Sequence, residues 1–154
     1  MSEFLVRLAT ADDARQILYF IHQLAEYEER QNAVKMDYAS LHFHMTRIPR
    51  PFECFIAEEQ ESGKPVGMAL LFQTFSTWEG PGWRLEDFFV EELYRSQGVG
   101  TALWQHLLNI ARERGYSRLE WSVLNWNVSA NEFYRRRGAN PIDGWTTWRL
   151  NLKG

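Results

Sequence analysis

The chain has 154 residues, 45% apolar and 24% charged, an ordinary globular composition long enough to bury a core, so one domain over 1–154 is expected. Its formal charge of −3 argues against a nucleic-acid partner, which usually needs a basic balance or stripe, and mildly favours cationic ligands. A lone Cys54 excludes an intramolecular disulfide framework, and no apolar run approaches the roughly 20 residues of a membrane helix. With an acid at Glu3 instead of a basic leader, a cytoplasmic protein with no membrane partner is expected.

Phe4–Leu8 alternates as a first strand, and Thr10 with Asp13 three residues on has the form of a helix cap. Ile17, Phe20, Ile21 and Leu24 then recur at helical spacing until the polar run from Glu26 to Gln31. Asp37–Met45 reads as a second helix, ended by Pro49 and Pro51. Phe52–Glu58 and Val66–Phe75 form a predicted hairpin around the turn Glu61–Lys64. A loop with Trp78, Gly80, Pro81 and Gly82 leads to a strand at Leu85–Val90, with two acids set inside it. Gly98–Arg114 is predicted helical with Gly115 as its stop, Arg118–Leu124 a strand, Asn127–Arg137 a helix ended by Gly138, and Trp145–Leu152 a closing strand. This order predicts a mixed α/β sandwich in which most of the seven tryptophans are structural.

Gly98 and Gly100 follow Arg95-Ser96-Gln97 where an apolar strand gives way to a helix, so backbone can approach a ligand and helix N–H groups point outward at an anion. The spacing is neither the dinucleotide fingerprint nor the lysine-bearing nucleotide loop. Taken alone, the two glycines are equally those of a tightly packed helix start.

The Arg-x-x-Gly-x-Gly pattern resembles the pyrophosphate loop of the GNAT acetyltransferases. Two further blocks extend the likeness, Leu85-Glu-Asp-Phe-Phe-Val90 before it and Asn125-Trp-Asn127 through Asn131-Glu-Phe-Tyr134 to Ala139 after it. With Leu24–Glu28 and Ser76–Trp78, the pattern is similar to the diamine (spermidine/spermine) and thialysine acetyltransferases. The resemblance implies the GNAT fold, a mixed and mostly antiparallel central sheet with helices on both faces. It implies acetyl-CoA as co-substrate, no metal, a small cationic amine as acceptor and a homodimer.

An alkyl ammonium has a pKa of about 10, so about one molecule in a thousand is neutral at pH 7 and something must accept its proton. In an unbroken strand Glu86, Phe88 and Val90 share one face, with Asp87 and Phe89 on the other, so the two acids have different work. The resemblance places Glu86 at the acceptor amine, directly or through a water, and gives backbone groups of Phe88, Phe89 and Val90 to the acetyl and pantetheine portions. A bulge in this strand would expose an N–H for the oxyanion. Pairing of Glu86 or Asp87 with a base such as Arg84 is the structural alternative.

The resemblance also makes Tyr134 the acid for the departing thiolate, a chemistry open to a phenol of pKa about 10. It assigns the pyrophosphate loop from Arg95, Ser96, Gln97, Gly98, Val99 and Gly100 to Thr101, a second cofactor segment at Asn127, Val128, Ser129 and Ala130, and Arg136 as an anion partner. Asn127 is equally an N-cap, and the arginines equally a solvated face. Tyr27, Glu28, Trp78, Glu86 and Asp87 line the implied acceptor pocket, since carboxylates and ring faces hold cations. Ser76 stands where several polyamine enzymes carry an acid, as in the thialysine-like branch, and Asp143 is only a loose counterpart of the family's acid before its last strand.

His42 and His44, two apart on a predicted helix, do not form a metal pair, and Cys54 beside Phe55 reads as a small buried residue. No base motif supports an acetyl-enzyme, so direct transfer in a ternary complex is expected. A protein or peptide amine as acceptor, and a non-catalytic acyl-CoA-binding module, are the alternatives.

Overall fold

The computed structural model describes residues 3–153. The chain falls into two compact units, one ending at Ser122 and the other beginning at Val123.

The first unit is built on a five-stranded sheet in the order β1 (Phe4–Leu8), β2 (Glu53–Glu59), β3 (Pro65–Ser76), β4 (Gly80–Val90) and β5 (Leu119–Trp121). Every pairing is antiparallel except that of β4 with β5. Helices α1 (Ala14–Tyr27) and α2 (Tyr38–Thr46) cover one face, and α3 (Val99–Glu113) packs on the other. The expected mixed, mostly antiparallel sheet with helices on both faces is therefore present.

Local chemistry explains most boundaries. The Asp13 carboxylate accepts the Thr10 N–H at 2.8 Å and a two-pronged guanidinium bond from Arg7, holding the start of α1 against β1. Asp37 caps α2 by accepting the Ser40 N–H. The apolar stripe of α1 buries Ile17 and Phe20 on Cys54, Ile56, Met68, Leu70 and Phe89. On the opposite face Trp104 meets Phe88 and Trp121 edge-on, and Val99 and Leu103 press against Gly67. A Cβ at Gly67 would lie 2.8 Å from the Phe89 carbonyl oxygen, so this helix–sheet approach depends on glycine.

Several elements depart from the sequence reading. β4 begins at Gly80, not Leu85, because Gly80-Pro-Gly82 pairs with Ser76, Phe75 and Thr74 and only a tight turn remains between the strands. The Ser76 hydroxyl shapes that turn by accepting the N–H groups of Trp78 and Glu79, each at 3.1 Å. The predicted strand Arg118–Leu124 contracts to Leu119–Trp121, the span that pairs with β4.

The second unit holds α4 (Val128–Arg136). No strand forms at Trp145–Leu152, although its side chains alternate, because the segment has no ladder to satisfy its backbone groups. The tryptophans divide between core and surface. Trp83 and Trp104 are buried, whereas Trp78, Trp126, Trp145 and Trp148 are exposed.

The most consequential irregularity lies in β4. Leu70 pairs with Asp87 but Leu71 pairs with Leu85, so Glu86 is an extra residue without a partner across the strand. Paired neighbours share a face, and the insertion switches the alternation. Leu85 lies on the α3 face with Leu71, whereas Asp87 lies beside Leu70 on the face packed by α1, together with Phe89.

Phe20 supports this turnover of faces from below, fully buried with its ring 5.4 Å from that of Phe89. Phe20→Ala is expected to lower stability by about 3–5 kcal/mol. Urea denaturation should show this as a reduced midpoint with an unchanged slope.

Candidate active site

Beyond β4 the chain makes a turn of 3-10 helix at Glu92–Tyr94 and enters α3 through Gly98, whose φ of 93° lies in the left-handed region. Ser96, with φ of 64°, shares that conformation, so the backbone turns sharply twice before the helix. The first bond inside α3 runs from the Ala102 N–H to the Gly98 carbonyl at 3.0 Å, and the N–H groups of Val99 and Gly100 precede it at the helix end. Gln97 ties the loop down by donating to the Leu93 carbonyl at 2.8 Å. This cradle fits a phosphate anion, with the helix dipole favouring negative charge. Arg95 is held on the protein: its Nε donates to the Val90 carbonyl at 3.1 Å, and its guanidinium lies 4.9 Å over the Tyr27 ring and 6.0 Å over that of Phe89.

The preceding stretch of β4 opens a second binding surface. Pairing with β5 covers only Trp83–Leu85, so Glu86–Val90 lies beyond the last residue paired on that side. The Glu91 N–H bonds the Val66 carbonyl on β3, and antiparallel alternation turns the backbone groups of Val90 the other way.

Three carboxylates meet at the bulge. Glu86 is exposed, Asp87 half-buried, and Glu28, which follows the last turn of α1, lies within electrostatic reach of Asp87. Burial first, and then the charges of Glu86 and Glu28, raise Asp87 to a pKa of about 7. Burial also raises Glu28, an effect opposed by Arg30. No described residue gives Asp87 a hydrogen bond or an ion pair. Arg84, the candidate structural partner, instead donates to the Ser122 hydroxyl at 2.7 Å.

On α4 the Asn127 side chain accepts the Ala130 N–H at 3.3 Å and the Ser129 hydroxyl at 3.3 Å, and so acts as the N-cap. Phe133 and Tyr134 pack edge to face at 5.4 Å, and the Arg137 guanidinium lies 3.4 Å over the Phe133 ring. Arg136 is exposed and reaches Glu132 at 3.5 Å.

A family model for the Acetyltransferase (GNAT) family matches residues 14–139. The thialysine N-epsilon-acetyltransferase of Caenorhabditis elegans is 33% identical over 155 residues, covering 98% of this chain and 94% of that one. The chain belongs to the GNAT acetyltransferase family. The Sus scrofa thialysine N-epsilon-acetyltransferase is 32% identical, over 97% of this chain and 94% of its own. A human spermidine/spermine N(1)-acetyltransferase-like protein is 31% identical over 98% of this chain and 23% of its own length. Among solved structures, an aminoglycoside acetyltransferase from an uncultured soil metagenomic sample superposes with a TM-score of 0.79 at 18% identity, covering 98% and 97% of the two chains, a likeness of fold.

Of the residues singled out in this acetyltransferase, the first unit brings Tyr27, Glu28, Glu86 and Asp87 to one end of α1 and the middle of β4. Trp78 stands apart at the β3–β4 turn, exposed and separated from Glu86 by roughly 20 Å of extended strand. Tyr134, Arg136 and Asn127–Ala130 belong to the second unit, as does Asp143, which is exposed outside any helix or strand. His42 and His44 join no candidate metal cluster among the described residues. Cys54 is buried, and burial pushes its thiol far up, so it is a packing residue.

Sequence reasoning assigned Asp87 to acceptor binding but had no signal for its unusual acidity. That follows from the bulge, which moves the carboxyl to the α1 face.

A carboxyl whose pKa is raised on folding weakens the fold as it ionises. Between about pH 4 and pH 7 the folded chain keeps a proton that the unfolded chain has released, so stability falls through this window and levels off above it. Asp87→Asn is therefore expected to be more stable than the wild type above pH 7, by on the order of 3 kcal/mol, and to lose that advantage near pH 4. Paired thermal melts from pH 4 to pH 8 measure the difference.

Proposed function

We propose that the protein transfers the acetyl group of acetyl-CoA to a primary amine of a small cationic acceptor, a diamine or polyamine or a thialysine-like amino acid, by direct transfer in a ternary complex. The observation that carries this reading is the stretch of β4 beyond its pairing with β5, with the anion cradle at one end and the acid cluster at its bulge. Thialysine acetyltransferases that align over almost the whole chain support it.

Acetyl-CoA supplies an activated thioester and a charged pyrophosphate. For the pyrophosphate this chain offers the N-terminus of α3 and the loop Arg95–Thr101. Backbone groups of Phe88–Val90 hold the pantetheine and acetyl portions along the β4 edge, where an N–H aimed at the carbonyl oxygen stabilises developing negative charge. Asn127–Ala130 and Arg136 supply the second cofactor segment.

On the acceptor side, Tyr27, Glu28, Glu86 and Asp87 present negative charge and a ring face to a cation. Glu86, on the exposed bulge, meets the ammonium and assists its deprotonation directly or through a water. The freed lone pair attacks the thioester carbonyl, and the phenol of Tyr134 protonates the departing thiolate. The roles of Tyr134, Arg136 and Asn127–Ala130 rest on their places in the sequence blocks and on their chemistry.

Thiol release with acetyl-CoA, across a panel containing thialysine, lysine, ornithine, spermidine and a lysine peptide, tests the reading. The small amines are expected to outpace the peptide. Failure of every amine to release thiol, with CoA still bound, would leave a binding module in place of an enzyme. Tyr134→Phe is expected to lower kcat about a hundredfold or more with little change in KM. Gly98→Ala, which forces a side chain onto a left-handed residue, should raise the KM for acetyl-CoA about tenfold while sparing the KM for the amine.

A further inference from the structure

We infer that the proton lost by the acceptor amine ends on Asp87, while exposed Glu86 holds the ammonium in place or passes the proton on. The inference rests on the amine-acetylation reading and changes the final location of the proton.

Position comes first. The bulge at Glu86 puts two consecutive carboxylates at the start of the β4 stretch that β5 does not cover, and switches Asp87 to the α1 face. There it lies in the row of Leu70 and Cys54, beneath the end of α1. Glu86 remains in solvent, whereas Asp87 is half-buried. One charge is therefore kept hydrated to attract a cation, while the other is partly withdrawn from water, where neutralisation relieves it.

The charged surroundings of Asp87 point the same way. Its own strand contributes Glu86, the end of α1 contributes Glu28 with Arg30 beyond it, and β2 contributes the uncharged thiol of Cys54. On β1 the Arg7 guanidinium, in the row of Ile56 and Met68, is committed to Asp13 and Glu58, and Arg50 donates to the Ala9 carbonyl. Arg95 is directed to the Val90 carbonyl and the Tyr27 ring. No cation is committed to Asp87 among the described residues. Its acidity near neutrality also suits a group that must take a proton in one step and return it in the next.

The proton balance closes. An N–H bond of the ammonium breaks and an O–H bond forms on the Asp87 carboxylate. The amine lone pair makes the C–N bond, the C–S bond breaks, and sulfur takes its proton from Tyr134. The nitrogen of the adduct, which still carries one hydrogen more than the amide, releases it to solvent, the Tyr134 phenolate takes a proton back from solvent, and Asp87 gives up its own as the amide leaves, so that ammonium and thioester become amide, thiol and one proton.

The test is the pH dependence of thialysine acetylation from pH 5 to pH 9. In the wild type kcat/KM should fall as pH drops through about 7, because protonated Asp87 has no capacity left. Asp87→Asn, which copies the shape of the protonated acid, should lose about a hundredfold in kcat with a several-fold change in KM at most, and should lack the limb near neutrality. Glu86→Gln should keep a limb, moved to lower pH because the charge of Glu86 helps to raise Asp87, while raising the KM for thialysine. Asp87→Glu should recover part of kcat with a displaced limb. An asparagine variant that keeps wild-type turnover and the wild-type limb overturns the inference, as does a glutamate variant with an undisplaced limb. A wild-type protein that acetylates no amine in the panel fails the underlying reading instead.

Discussion

One inserted residue in β4 sets the chemistry of the first unit. Pairing on β3 jumps from Leu71–Leu85 to Leu70–Asp87, and Glu86 is left between them. Strand alternation has a period of two, so an extra residue reverses every side chain beyond it. Without the bulge, Asp87 and Phe89 would point into the apolar layer of Trp104 and Leu103, and Phe88 would face α1. With it, Phe88 reaches Trp104, Phe89 joins Phe20, and Asp87 comes within the field of Glu28. An irregularity of this kind interrupts the ladder, and the compensation is tight packing on both faces: Phe20, Met68 and Leu71 are fully buried around it.

The anion cradle depends on a different constraint. Gly98 occupies a left-handed conformation at little cost, but Ser96 adopts a comparable φ with a side chain attached. Two features hold the loop in that shape, the Gln97 bond to the Leu93 carbonyl and the Arg95 bond to the Val90 carbonyl. The second also ties the loop to β4, and through the ring of Tyr27 it joins the loop to the end of α1. The phosphate end and the acid end of the first unit thus share one arginine as a strut.

Much of this was legible in the sequence. The helical spacing of Ile17, Phe20 and Leu24, the strand at Phe4–Leu8 and the second helix over Asp37–Met45 are local properties, and they appear at their predicted places or within a residue or two. Glycines and charges marked the cradle because an anion needs backbone close to it. The early start of β4 was hidden because Gly80-Pro-Gly82 has the composition of a loop, and only the partner strand Thr74–Ser76 makes it a ladder. The segment from Trp145 to Leu152 shows the converse, an alternation that reads as strand but has no ladder.

By itself the sequence determined an α/β chain with a glycine-bearing turn suited to an anion between a central strand and a helix, because periodicity, capping and glycine placement are encoded within short windows, and the resemblance of its motif blocks pointed to the GNAT family. Only the tertiary structure decided the different surroundings of the two adjacent acids. Their difference comes from a register shift against β3, from the reach of Glu28 across from another helix, and from the depth to which each carboxyl is withdrawn from water. Those quantities depend on residues far apart in the chain, and a pair reading Glu86-Asp87 carries no mark of them.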